Sequence, residues 1–148
     1  MSSIDATTAS AHPRPVDWGR YALVGIATVI AAVVANLVVY FIGGAFVAYD
    51  PEFVVLSTPS GTILFTVVPA IVAVIIYGLL LRFASNPARV FTILAAVVLV
   101  LSWIPDLTYI PTVPGSSAGQ TAVLMVMHAV AAVVIVGMLT NLTRPRTG

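Results

Sequence analysis

The chain has no cysteine and no lysine, and only 7% of its 148 residues are charged. Without cysteine, disulfides, thiolate nucleophiles and cysteine-ligated metals are excluded within the chain. Without lysine there is no retinal-type Schiff base and no lysine nucleophile. The basic residues are six scattered arginines that form no basic patch, so a nucleic-acid partner is not expected.

Apolar surface is what the chain has in excess. Hydrophobic residues make up 60% of it, whereas a water-soluble domain carries about a quarter charged residues. The few charges are bunched. No Asp, Glu, Lys or Arg occurs from Tyr21 to Tyr49, Phe53 to Leu81, Val90 to Pro105, or Leu107 to Thr143. Each gap has room for the roughly 20 apolar residues that cross a bilayer as a helix. The expected fold class is therefore all-α, a membrane four-helix bundle, with no length left for a soluble domain.

Residues 1–17 are rich in Ser, Thr, Ala and Pro and lack apolar periodicity, which predicts a flexible cytoplasmic tail. A second short tail is expected over 144–148, with the transmembrane domain over 18–143. A signal peptide is the competing reading of the first apolar run, but the run far exceeds an h-region and is followed by no persuasive small-residue cleavage site, so it is read as a span. Its helix is expected over about 18–44, weakened by Gly43-Gly44 near the end. Thr58-Pro59 offers an N-cap and a proline at the first helical position for a second helix over about 58–83. Ser85-Asn86-Pro87 repeats that signal for a third, expected over about 87–104 and ended by Pro105. Its roughly 18 residues would rise roughly 27 Å, just enough to span the hydrocarbon core. A loop with two prolines and two glycines from Pro111 to Gly119 precedes a fourth helix over about 118–140.

Arginine placement sets the expected orientation, because positive charge flanking spans is retained in the cytoplasm. Arg14 and Arg20 precede the first span, Arg82 and Arg89 flank the second link, and Arg144 and Arg146 follow the last span. The other two links carry only Asp50, Glu52 and Asp106. Four spans then put both termini in the cytoplasm of a multi-pass protein. Trp18, Tyr21, Tyr77, Phe83 and Phe91 fall near the inner interface, and Tyr40, Tyr49, Phe53, Trp103 and Tyr109 near the outer one.

Two internal matches point to an old duplication. Ala70 to Leu80 agrees with Ala129 to Leu139 at six of eleven positions, and Thr28 to Val34 with Thr92 to Val98 at five of seven. Two hairpins of two spans each would point the same way, related by a pseudo-twofold axis along the membrane normal. Chance is the rival reading, since Ala, Val, Ile and Leu dominate every span. Under the duplication Pro69 and His128 hold equivalent places.

The polar residues within the spans are the candidate site. The first helix carries Ala27, Ala31 and Ala35 beside a stripe of Thr28, Ala32, Asn36 and Tyr40, read first as a packing seam. Thr121, Met125, His128, Ala129 and Ala132 make a comparable face on the fourth. By helical rise, Asn36 lies about 12 Å from the outer end of its helix, and Pro69 and His128 about 15 Å from theirs, nearly one layer. Thr66, one turn from Pro69, is expected to help backbone groups that the proline disturbs. His128 is the one ionisable group expected deep within a span. It is read either as a neutral imidazole bridging Asn36 or a carbonyl, or as a ligand or proton contact. Asp106 is expected as a hydrated cap at the outer mouth of the third helix, well above His128. No metal ligand set and no cofactor site is expected, since one histidine makes neither a tetrahedral metal site nor a bis-histidine haem site.

The runs Val67-Val68-Pro69-Ala70, Arg82-Phe83 through Pro87-Ala88-Arg89-Val90-Phe91, and Met127-His128-Ala129-Val130-Ala131-Ala132 resemble a bacterial family of small four-helix membrane proteins of unknown function. The likeness extends from about Trp18 to Leu142. It implies the fold and a bacterial cytoplasmic membrane, and it carries over no functional residue. Small multidrug exporters are similar in size, but their buried glutamate has no counterpart here. With no carboxylate pair and no nucleophile motif, the chain is expected not to be an enzyme. The leading expectation is an accessory subunit or a module binding a lipid or other apolar molecule, with the bilayer and a membrane protein or second copy as partners. A small transporter or channel using Asn36, Thr66, Pro69 and His128 is the alternative, and a lipid-modifying enzyme using Asp106 and His128 the weaker one.

Overall fold

Burial on the first helix is inverted relative to a soluble protein. On α1 (Trp18–Gly44) the buried residues are Tyr21, Gly25, Thr28, Ala32, Asn36 and Tyr40, while Leu23, Ile26, Ile30, Val34 and Val38 are exposed. A helix in water turns its large apolar face inward. Lipid is as apolar as leucine, so helices there adhere through close packing and internal hydrogen bonds, and the small and polar face turns inward.

The computed structural model describes residues 16–143. Arg14, Arg144 and Arg146, and the expected tails apart from Val16 and Asp17, lie outside the described residues. A short α2 (Val54–Ser57) follows α1, and α3 (Pro59–Phe83), α4 (Pro87–Thr108), a 3-10 turn (Ile110–Thr112) and α5 (Ala118–Leu142) complete the order. Among the described residues four helices, α1, α3, α4 and α5, are long and apolar enough to cross a membrane. The fold is an all-helical bundle of membrane-spanning type.

Local chemistry accounts for most helix starts. The carboxylate of Asp17 accepts from the Arg20 amide at 3.0 Å, the Asn86 side chain from the Arg89 amide at 3.2 Å, and the Ser117 hydroxyl from the Gln120 amide at 3.3 Å. Each satisfies one orphan donor of a first turn. Thr58 precedes α3 as expected but makes no side-chain cap, because its hydroxyl pairs with that of Ser60 at 2.8 Å.

The third span departs most from expectation. Helix α4 does not stop at Ile104; it runs through Pro105 to Thr108. A proline removes one helical donor, to the carbonyl four residues earlier, and a span ends there only if nothing offsets that loss. Here the extra turn carries Asp106 into the bundle, where it finds a partner. Helices α2 and the 3-10 turn are too short to leave a periodic signal in the sequence.

Within the bundle α1 packs on both α3 and α5, and α4 packs on α5. Around the molecule the order is therefore α3, α1, α5, α4. Helices α3 and α4 meet near the arginine-bearing end, where the rings of Tyr77 and Phe91 lie 4.9 Å apart. That end is filled by Tyr21, Tyr77, Phe91, Ile135 and Leu139. Tyr21 donates to the Val74 carbonyl, and the Arg20 guanidinium reaches the Leu142 carbonyl at 2.8 Å, tying the start of α1 to the end of α5.

Gly25 sets the closeness of α1 to α3: a Cβ there would come within 2.8 Å of Val74 Cγ1. Valine is stiff at χ1 and cannot easily swing away. Alanine at position 25 gains about 1 kcal/mol of helix propensity but overpacks the seam at a cost of about 2 kcal/mol. Gly25→Ala is thus expected to lower stability by about 1 kcal/mol, measured by unfolding in mixed micelles, where a stabilised variant would contradict the contact.

At the opposite, acidic end, α2 folds back over the bundle. Phe53 and Leu56 are wholly buried, packed with Tyr40, Val123, Leu124 and Met127. Gly115, at φ +72°, lets the last loop pass under Asp50: a Cβ there would sit 2.9 Å from the Asp50 carboxylate and from the Phe53 amide. Tyr49 donates to the Tyr40 carbonyl at 2.7 Å. Burial first, and then the neighbouring Tyr40, hold the Tyr49 hydroxyl above its ordinary pKa and so keep it protonated as that donor.

Candidate functional site

Towards the acidic end α3 and α4 part, and a cavity of about 570 Å³ opens between them, backed by α5 and by Asn36 of α1. A second chamber of about 290 Å³ lies beyond it, roofed by Val55 and Leu56 of α2 and walled by Ile110, Leu124 and Met127. Asn36, Phe65, Thr66, Ser102 and His128 line both chambers. The larger chamber is otherwise apolar, and Val68, Val72 and Val98 on its walls are also exposed, so it opens sideways into the surroundings of the helices. The smaller adds Thr62 and Asp106.

Asp106 corrects the reading of a hydrated cap. It is buried, and its Oδ2 lies 2.8 Å from Nδ1 of His128. The side chain of Asp106 is 6% exposed and that of His128 43%. The expected vertical gap between them closes because α4 ends low. His128 is ten residues into α5, roughly 15 Å below its start by helical rise, and the connector from Tyr109 to Ser117 makes up the height. A carboxylate on Nδ1 fixes the ring orientation and, in the neutral imidazole, the tautomer. Trp103 strengthens the α4–α5 contact, donating from its indole to the Met125 carbonyl at 3.3 Å.

Asn36 is not bridged to His128, the second correction. Its Nδ2 donates to Thr66 Oγ1 at 3.0 Å, and the Thr66 hydroxyl donates to the Thr62 carbonyl at 2.7 Å. Thr66 therefore serves its own preceding turn rather than the Phe65 carbonyl. This chain of bonds also decides which way the amide points: Thr66 has one proton, it is spent on Thr62, and Asn36 must present its NH₂ to Thr66. Asn36 Oδ1 is left buried with no hydrogen-bond partner, as is the Thr62 hydroxyl. A buried unpaired acceptor costs about 1–3 kcal/mol. Asn36→Leu removes both the orphan and its bond, so it is expected to leave thermal stability within about 1 kcal/mol of wild type while weakening ligand retention. A large stability loss would mark Asn36 as purely structural.

Asn36, Thr66 and His128 thus meet at the junction of the chambers, whereas Pro69 lies on the wall of the larger chamber only. Ala31 and Ala35 are half-buried in the α1 seam and Ala27 faces outward. Arg20, Arg82 and Arg89 sit at the opposite end and none lines a chamber. Sequence reasoning missed Ser102 and Thr62. Each stands four residues before another polar residue of its helix, Asp106 and Thr66, a spacing that shares one helical face and could have flagged them. It also missed Gln120, 1% exposed with both amide atoms unpaired, for which neither chamber offers a reason. Among the described residues no group of three metal-ligating side chains occurs.

Inverted burial, four apolar spans and a side-opening chamber with a polar end define a small polytopic membrane protein with an internal cavity. Residues 16–145 match the model of the family of unknown function DUF6069, and the chain belongs to that family. No curated protein and no solved structure matches it.

Proposed function

We propose that the protein is a non-catalytic membrane module that takes an amphiphilic molecule from the bilayer through the opening between α3 and α4. The supporting observation is the joining of an apolar chamber of about 570 Å³ to buried, unpaired polar atoms at one end. Ligand sites commonly enclose about 300–1,000 Å³, mostly apolar with a few converging polar groups. An apolar tail fits the first chamber and a polar head the junction at Asn36 and His128. The same module could hand its ligand to a membrane protein partner or a second copy of itself.

A through-channel is less well supported, because the aromatic cluster of Tyr21, Tyr77 and Phe91 fills the arginine end below the chamber. The 2.8 Å pair of Asp106 and His128 keeps a lipid-modifying enzyme as the second reading. Against it, the Ser102 hydroxyl is committed to the Leu99 carbonyl at 2.7 Å. We further read the arginine end, with Arg20, Arg82 and Arg89, as the cytoplasmic face of a bacterial plasma membrane, and the two hairpins as duplicated. In that reading the open α3–α4 seam is the counterpart of the closed α1–α5 seam.

Purification in mild detergent followed by mass spectrometry of retained molecules tests the binding role. One amphiphile retained per chain, and lost when the chamber is filled, is expected. A chain that carries nothing through purification would overturn it. New products formed from added lipid by wild type and not by His128→Ala would favour the enzyme.

A further inference from the structure

Resting on the binding role just proposed, we infer that the head of the bound molecule is a neutral hydrogen-bond donor, a lipid alcohol, held by donation to Asn36 Oδ1 or His128 Nε2.

The polar atoms left over at the junction are mostly acceptors. Asn36 is 5% exposed, lines both chambers, and gives one N–H of its amide to Thr66, while its carbonyl oxygen has no partner. His128 uses Nδ1 on Asp106 and makes no other hydrogen bond among the described residues. A neutral imidazole whose Nδ1–H faces a carboxylate offers a lone pair at Nε2. Phe65, which lines both chambers, has a carbonyl without the amide donor that Pro69 cannot supply. Thr62, with an unpaired hydroxyl on the smaller chamber, is the one group able to donate as well as accept. Acceptors outnumber donors, so the complementary head must bring protons.

Charge narrows the class further. The one formal charge that Asp106 brings to the chamber walls is negative, and no arginine lines either chamber to neutralise a phosphate. An anionic head would meet a carboxylate in a poorly screened setting. A ketone or ester head brings acceptors only and would leave Asn36 Oδ1 and His128 Nε2 without a donor. A hydroxyl on a long apolar chain donates its one proton to either acceptor, can accept from the second N–H of the Asn36 amide in return, and places the chain in the larger chamber. Sites built to bond a hydroxyl discriminate strongly against analogues that lack it, because buried groups are then stranded.

The test uses the full chain in lipid nanodiscs and native mass spectrometry with paired probes: a long-chain prenyl alcohol and its methyl ether, and a diacylglycerol and its methyl ether. Each ether keeps the chain and an acceptor oxygen and loses the donor. We expect at least one alcohol to bind about tenfold more tightly than its own ether. The better of the two alcohols identifies the chain type. In Asn36→Leu the difference should shrink to about twofold or less while the fold, followed by melting temperature, persists. Equal binding of alcohol and ether, or preferential binding of phosphatidylglycerol, would overturn the donor assignment and leave the binding role standing. Failure of every probe to bind, together with nothing retained on purification, would overturn both.

Discussion

Replacing His128 with leucine is expected to destabilise the protein by about 3 kcal/mol, and replacing Asp106 with leucine by clearly less, although the histidine is the more exposed partner. Removing one member of a buried pair costs about 3–5 kcal/mol, mostly because the survivor is stranded. In His128→Leu the survivor is a carboxylate with 6% of its side chain exposed, far from any arginine. In Asp106→Leu the survivor is an imidazole with 43% exposed, which can reach other partners, so its cost is the smaller. The double variant strands nothing and should be more stable than His128→Leu alone, giving a coupling energy within the ~0.5–3 kcal/mol of contacting residues. Unfolding of all four proteins in mixed micelles measures this cycle. Equal single losses with additive behaviour would show that the two side chains do not depend on each other.

Filling the larger chamber should separate binding from folding. Ala95 is half-buried on α4 and lines that chamber alone. Phenylalanine there occupies the space where an apolar tail would lie and contributes new packing contacts of its own. Ala95→Phe is therefore expected to retain about tenfold less ligand than wild type with an unchanged or higher melting temperature. Ile26→Phe, on the exposed face of α1, is the control and should retain ligand fully. Full retention by Ala95→Phe would place the ligand elsewhere. The expected result is the opposite of what a packing seam gives, since overfilling a seam destabilises it.

Hydropathy and arginine spacing were enough to read the spans, because a bilayer demands long apolar runs and nothing else in this sequence interrupts them. The start of α1 at Trp18 and the stripe of Thr28, Ala32, Asn36 and Tyr40 were legible for the same reason: buried residues on a helix recur every three to four positions. The site was only half legible. Asn36, Thr66 and His128 stood out as polar groups in apolar runs, but their partners did not. Asp106 was misread because Pro105 looked like a helix end, and a continuing helix depends on a contact with α5 that no local signal encodes. The pairing of Asn36 with Thr66 instead of His128 depends on the relative rotation of three helices. The opening between α3 and α4 is a property of packing, and neither helix announces it.

The most direct measurement is the site of photolabelling by a long-chain lipid alcohol carrying a diazirine near the end of its chain, added to the protein in nanodiscs. Labelling concentrated on Val72, Leu94 and Val98, and abolished in Ala95→Phe, is the predicted result. Labelling spread equally over the outward residues Leu23, Ile26 and Val34, and unaffected by Ala95→Phe, would contradict a ligand held within the chamber.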